Sequence, residues 1–282
     1  LAASGEMTRR ESVWGIATGL PLPSTADLMI VGLLYRPPLA IAAGSFVICA
    51  GAMMLIARLV WRRSSGETII GGLSAGYINA SNMGIPVATY VLGDPALSAP
   101  IILMQLAIIT PILLTVLDRI EHGKVGLVST LTRPLRNPLV IGAIVGLVLA
   151  LSGIQLPDEV MQPFRVMGAA SVPVMLIAFG MSLAEERPLG AGRYRRDIAV
   201  ATALKLVAMP LIAWVLATFV FRLDPAGVFA MVVLAALPVA QNVFTYAQRY
   251  RVAEPLARDA VLVSTLLSVP AMLIIAALLA PR

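Results

Sequence analysis

Asn79-Ala80-Ser81-Asn82-Met83-Gly84-Ile85-Pro86 sits inside Thr68–Gly93, a run of 26 residues without a charge. A run of that length crosses a bilayer as a helix, for which about 20 residues suffice. Yet Pro86 has no N–H to donate, and its ring collides with the carbonyl of Asn82, four residues back. The spacing predicts a helix that breaks at membrane depth. Freed backbone groups there need protein or water as partners. Leu237-Pro238-Val239-Ala240-Gln241-Asn242 repeats the device inside a second uncharged run, Pro225–Gln248. Two matched broken helices are a pointer to a solute site near the midplane.

The bulk composition agrees with a membrane chain. Of 282 residues, 59% are hydrophobic and 13% charged, and the mean hydropathy is +0.90. A soluble protein of this size has no interior large enough for that apolar surface. The net charge of +6 lies in short segments between apolar runs, a pattern of membrane topology and not of a nucleic-acid face. One cysteine, Cys49, and one histidine, His122, exclude a disulfide framework and leave almost no material for a metal centre. No phosphate-binding loop pattern occurs, so the sequence calls for no nucleotide and no other cofactor.

Charges mark nine candidate spans: Ser12–Tyr35, Pro37–Ala57, Thr68–Gly93, Pro95–Leu117, Asn137–Leu156, Val166–Ala184, Ile198–Phe221, Pro225–Gln248 and Ala260–Ala280. The links are short, so the whole chain reads as one transmembrane domain. Lys and Arg alternate strictly between the two sets of links, sixteen against four, with Lys205 left over. The richer set, which includes Arg9, Arg63, Arg193 and Arg251, is expected on the cytoplasmic side.

The two halves repeat. Asn79–Tyr90 aligns without a gap on Ala235–Tyr246, and Asp94-Pro95 matches Glu254-Pro255. Pro111 matches Pro270, and Leu20-Pro21 matches Val172-Pro173. By the charge count the two broken spans run in opposite directions, so the repeats are inverted. Residues 12–118 form a first repeat of four spans and residues 137–280 a second of five. The span without a mate is Asn137–Leu156, so the expected complete architecture has ten helices, with a first helix missing here.

Candidate site residues follow from the breaks. Asn79, Ser81, Asn82, Gly84 and Pro86 in the first, and Pro238, Gln241 and Asn242 in the second, are expected to line the cavity. Single polar residues in membrane helices often only bond neighbouring helices. Three within four positions beside Gly and Pro exceed that need. Each break also makes a new helix N-terminus, worth about half a positive charge, and two of these facing one cavity favour an anion. Lys205 lies deep in its span, where it either snorkels outward or faces a partner or the solute. Asp27, inside Leu20–Leu34, either pairs with Lys205 or sits near the outer interface. Gly71-Gly72 suits close helix packing better than phosphate binding.

Three stretches resemble the auxin efflux carrier family, and within it the bacterial organic-acid permeases: Asn79-Ala-Ser-Asn-Met-Gly-Ile-Pro-Val, Lys205-Leu-Val-Ala-Met-Pro210, and Ala235 through Tyr250. Gly180-Met-Ser-Leu also fits, and the resemblance runs from Ser12 onward. It implies an all-α polytopic membrane protein of two inverted five-helix repeats whose two broken helices cross, as in sodium–proton antiporters and bile acid symporters. It further implies a multi-pass protein of the plasma membrane, the bacterial inner membrane, that moves a small organic anion by alternating access. Malonate-like or malate-like carboxylates and auxin-like weak acids both remain open as substrates. The implied partners are that anion, the lipid bilayer and a proton or sodium as coupling ion, and the reading allows a homodimer. The alternatives are a coupled symporter or antiporter of another solute class on the same fold, or a channel. No enzyme chemistry is expected, since no paired carboxylates or Ser/His set lies at depth.

Overall fold

The computed structural model describes residues 36–122, 145, 149, 156–164, 166–167 and 192–281. Ser12–Tyr35, with Asp27 and Leu20-Pro21, lies outside them, as do nearly all of Asn137–Leu156 and Val166–Ala184. The described residues are helical, with no strand longer than a single bridge. Three helical stretches among them, Pro37–Val60, Gly192–Val220 and Glu254–Leu279, are long and apolar enough to cross a membrane.

In chain order the α-helices are α1 (Arg36–Leu55), α2 (Ser65–Gly76), α3 (Ile85–Tyr90), α4 (Ala99–Met104), α5 (Thr110–His122), α6 (Arg195–Ala203), α7 (Met209–Val215), α8 (Pro225–Ala235), α9 (Asn242–Arg249) and α10 (Glu254–Leu279). Wide π turns join several of them. The turns Ala80–Gly84, Gln105–Ile109 and Leu204–Ala208 each end two residues before a proline, Pro86, Pro111 and Pro210. A proline removes one N–H from the i to i−4 ladder and pushes back the carbonyl behind it, so the helix widens there and then resumes.

The starts of α2 and α8 are set by caps. Ser64 and Glu67 form a reciprocal capping box on α2. Asp224 accepts from the Gly227 N–H ahead of Pro225 on α8. Helix α2 packs closely on α1 because its glycines leave room. A Cβ on Gly72 would fall 2.5 Å from the Met54 methyl, and one on Gly76 would fall 2.9 Å from the Phe46 ring. This is the close packing expected of Gly71-Gly72.

Local geometry recurs along the chain at one spacing. The π turns Ile56–Val60 and Leu216–Val220 begin 160 residues apart. At the same spacing stand the left-handed residues Arg62 and Arg222, the caps Ser64 and Asp224, and the positive-φ pair Gly93 and Ala253. The bonds Leu92 N–H to Val87 O and Val252 N–H to Ala247 O also match at that spacing. It sets Asn82 opposite Asn242 and Tyr90 opposite Tyr250. The letter match of Asn79–Tyr90 on Ala235–Tyr246 is therefore four residues out of structural register. Residues four apart share a helix face, so an apolar pattern fits almost as well after a slip of one turn.

The breaks lie at the centre. Two buried clusters pack on either side of them. Ile78 and Leu237 belong to the cluster with Ile101, Met209 and Leu234. Tyr77, Val239 and Ala240 belong to the one with Leu113, Tyr246 and Leu256.

Candidate functional site

Helix α2 ends at Tyr77, whose φ and ψ of −78° and 117° are extended. The chain leaves α8 after Ala235 and rejoins a helix at Asn242. Between them Ile78 and Val239 face each other as an antiparallel bridge. The Asn79 N–H donates to Pro238 O at 2.9 Å, and the Ala240 N–H donates to Tyr77 O at 3.2 Å. Each break thus supplies the backbone partners that the other lacks, which removes the large cost of bare amides and carbonyls in hydrocarbon. Side chains complete the set: Gln105 Nε2 donates to Ile78 O at 3.0 Å, and the Val239 N–H donates to Ser264 Oγ at 3.1 Å.

The first break is capped from within. Asn79, 6% exposed, accepts the Asn82 N–H on Oδ1 at 3.3 Å, and its carbonyl accepts from Gly84 at 2.9 Å and Met83 at 3.3 Å. The amides expected to lie free ahead of Pro86 are therefore already engaged. Pro86 stands in the first turn of α3, as its missing N–H favours. Gly84 is the point of close approach to the other break: a Cβ there would lie 3.3 Å from Leu237 Cδ1 and 3.5 Å from Asn79 O. Ser81 and Pro86 are exposed, and Asn82 is half-buried.

The second break is differently equipped. Pro238 is buried, while Gln241 and Asn242 are half-buried at the start of α9. Gln241 Oε1 is buried without a hydrogen-bond partner among the described residues. The Val243 N–H reaches Ala240 O and the Thr245 N–H reaches Gln241 O.

Lys205 is fully buried, and its ammonium turns inward. Nζ donates to Ala235 O, the last residue of α8, at 2.7 Å and touches Met209 Sδ at 3.3 Å. It does not snorkel. Among the described residues no carboxylate comes within ion-pair reach of it. A cation on the carbonyl end of a helix offsets both an orphan acceptor and the negative pole of the dipole. The alternative partner, Asp27, lies outside the described residues.

Sequence reasoning missed a hydroxyl cluster under the breaks. Tyr77 and Thr110 hydroxyls lie 2.9 Å apart, and Thr110 and Tyr246 hydroxyls 3.3 Å. The two rings meet edge to face at 6.4 Å. Thr110 directly precedes Pro111, so the proline that widens α5's start was the available signal. Gln105 and Ser264 were missed because a lone polar residue in an apolar span reads equally well as helix glue.

Residues 34–276 match the family described as Membrane transport protein. The chain belongs to this family, that of the auxin efflux carriers. This carrier is accordingly a membrane transport protein and not an enzyme. A relative from Rhizobium meliloti (strain 1021), named "Putative malonate transporter", is 25% identical over 235 residues, which are 81% of this chain and 72% of its own.

Proposed function

We propose that the protein is a secondary active transporter of a small organic anion, and that the anion binds where the two broken helices cross. The observation that carries this reading is the backbone pairing of Asn79 with Pro238 and of Ala240 with Tyr77, with polar side chains left over beside it. Irregular backbone at membrane depth is tolerated where it is buried in protein or lines a cavity, and here the pairing holds it in place. Asn82, Gln241 and Asn242 supply hydrogen bonds, Ser81 and Pro86 shape the accessible side, and Gly84 and Pro238 let the breaks approach. Lys205 adds positive charge one helix end away. The recurrence of caps and left-handed turns at one spacing supports two repeats, and the alternating Lys and Arg support their inversion in the plasma membrane. A site built from both repeats can open to either side by movement around the crossing, which is alternating access.

Malonate-like dicarboxylates head the substrate class, because the similar Rhizobium protein carries that name. A proton or sodium ion is the coupling partner to test first. Reconstituted vesicles with imposed pH and sodium gradients should show saturable uptake of labelled malonate, malate or an auxin-like acid, with counterflow. Linear, non-saturating flux without counterflow would instead identify a channel.

A further inference from the structure

Away from the crossing, the loop between α1 and α2 is locked to the start of α6. Arg63 grips Asp197 with two bonds, 2.7 Å from Nη2 and 3.1 Å from Nε, and donates to Arg193 O at 2.6 Å. Glu67 receives the Tyr194 hydroxyl at 2.6 Å and pairs with Arg193 at 3.0 Å. The Arg63 and Arg193 guanidiniums stand 5.0 and 5.6 Å from the centre of the Tyr194 ring. Beside this lock opens a cavity of about 490 Å³, walled by Trp61, Arg63, Arg193, Arg195, Arg196 and Asp197.

The charge balance of that cavity is uneven. Its one acid, Asp197, is neutralised by Arg63, and Arg193 is paired with Glu67 outside the wall. Arg195 and Arg196 are exposed and take no acid among the described residues. Among the described residues, two guanidiniums without an acid partner therefore face one concave site that already holds two more. Guanidinium forks match phosphate oxygens in pairs, which a carboxylate-sized solute does not require in this number. The position is also telling. Trp61 closes the apolar stretch Pro37–Val60, at the level where indole rings settle between lipid tails and headgroups. The same segment belongs to the Arg-rich set of links that the charge distribution assigns to the cytoplasmic side, where anionic lipids accumulate.

We infer that this cavity is a binding site for the phosphodiester headgroup of an anionic phospholipid, with Arg195 and Arg196 as its principal contacts and Trp61 against the glycerol and upper acyl region. The inference does not depend on which solute crosses the protein. The ion-pair lock holds the cavity wall in shape while leaving these two arginines without an acid among the described residues.

Native mass spectrometry and thermal-shift titration of the full chain in a neutral detergent test the site. The probes are cardiolipin, phosphatidylglycerol, phosphatidylcholine and inorganic phosphate. Cardiolipin and phosphatidylglycerol should bind and raise Tm, and phosphatidylcholine should not. The double variant Arg195→Gln/Arg196→Gln should weaken binding at least about ten-fold, the loss expected for one charge-assisted contact. Arg222→Gln, on the opposite set of links, should leave binding unchanged and serves as the charge control. Equal stabilisation by phosphatidylcholine, or equal loss in the control, would overturn the site. Saturation by inorganic phosphate that displaces cardiolipin at similar concentration would assign the cavity to a soluble phosphate instead and overturn the lipid. If the double variant proves unstable, single Arg195→Gln and Arg196→Gln titrations decide: two unchanged affinities refute the proposal.

Discussion

At the first break Asn79 accepts the amides of Asn82, Met83 and Gly84, so the turn closes on itself. At the second, Gln241 stands ahead of α9 with its Oε1 buried and unpartnered. The carbonyl ends differ as well. A neutral amide, Gln105, serves Ile78 O, whereas an ammonium, Lys205, serves Ala235 O. Two stretches with the same proline-and-asparagine character thus have different remaining capacity. The first is closed by its own cap, while the second holds an acceptor, Gln241 Oε1, that is unpartnered among the described residues.

The largest expected effect tests that asymmetry directly. If the solute binds at the crossing as proposed, Asn82→Ala and Gln241→Ala each remove side-chain hydrogen bonds to it, worth about 1.5–3 kcal/mol. Affinity measured by calorimetry should fall roughly 10- to 150-fold, at 1.4 kcal/mol per decade. A loss at Gln241 alone would sharpen the contrast into a one-sided site. Unchanged affinity in both variants would remove the crossing as the binding place.

Next in size is Lys205→Ala. It strips the donor from the buried Ala235 carbonyl, and thermal unfolding should report about 1–3 kcal/mol of lost stability. Lys205→Arg should retain more transport than the alanine variant. Full stability in Lys205→Ala would mean that the cap contributes nothing to holding the second break.

Asn79→Ala should cost about 1 kcal/mol, the usual loss of a helix-start cap. Gln241→Ala should not lower stability, because Oε1 has no hydrogen-bond partner among the described residues. Equal destabilisation by the two alanine variants, read from Tm, would erase the distinction between a closed and an open break.

The smallest effect lies at Glu67, which holds Tyr194 and Arg193 in the lock beside α6. Burial pushes the Glu67 carboxyl up, but the Tyr194 hydroxyl, the two Ser64 bonds and Arg193 together leave it below its ordinary value. A carboxyl depressed in the folded state stabilises fully above its unfolded pKa of about 4.3 and loses that contribution as pH falls through the lower folded value. Tm against pH should therefore drop less steeply below about pH 4 in Glu67→Gln than in the parent chain. Parallel curves would show that Glu67 contributes no pH-linked stability.

Much of this architecture was legible in residue order alone, for identifiable reasons. Pro238 lies in the second break, whereas the first falls at Tyr77–Asn79, ahead of Pro86, where the helix widens and resumes; proline disfavours a helix interior without forbidding it, as Pro270 inside α10 shows. Charge alone placed span starts at Thr68 and Pro225, close to the helix starts at Ser65 and Pro225. What could not be read was which polar group answers which. Lys205 was legible as an intramembrane charge, but its partner is a backbone carbonyl 30 residues away, and a carbonyl carries no residue signature. The one-turn slip in the repeat alignment has a similar cause, since letters four apart are interchangeable on a helix face.

The sequence by itself determined that the chain is helical and apolar, where two of its helices break, and the membership in a transport family that its motifs announce. Hydrophobic length, charge placement and proline are local properties, and they act wherever the chain is. Only the tertiary structure decided that Tyr77–Asn79 and Pro238–Ala240 bond to each other, that Asn79 closes its own turn, and that Gln241 is left open. Those outcomes depend on which backbone groups two distant segments bring within about 3 Å, and hydrogen bonds of that reach are fixed by packing and not by neighbours in sequence.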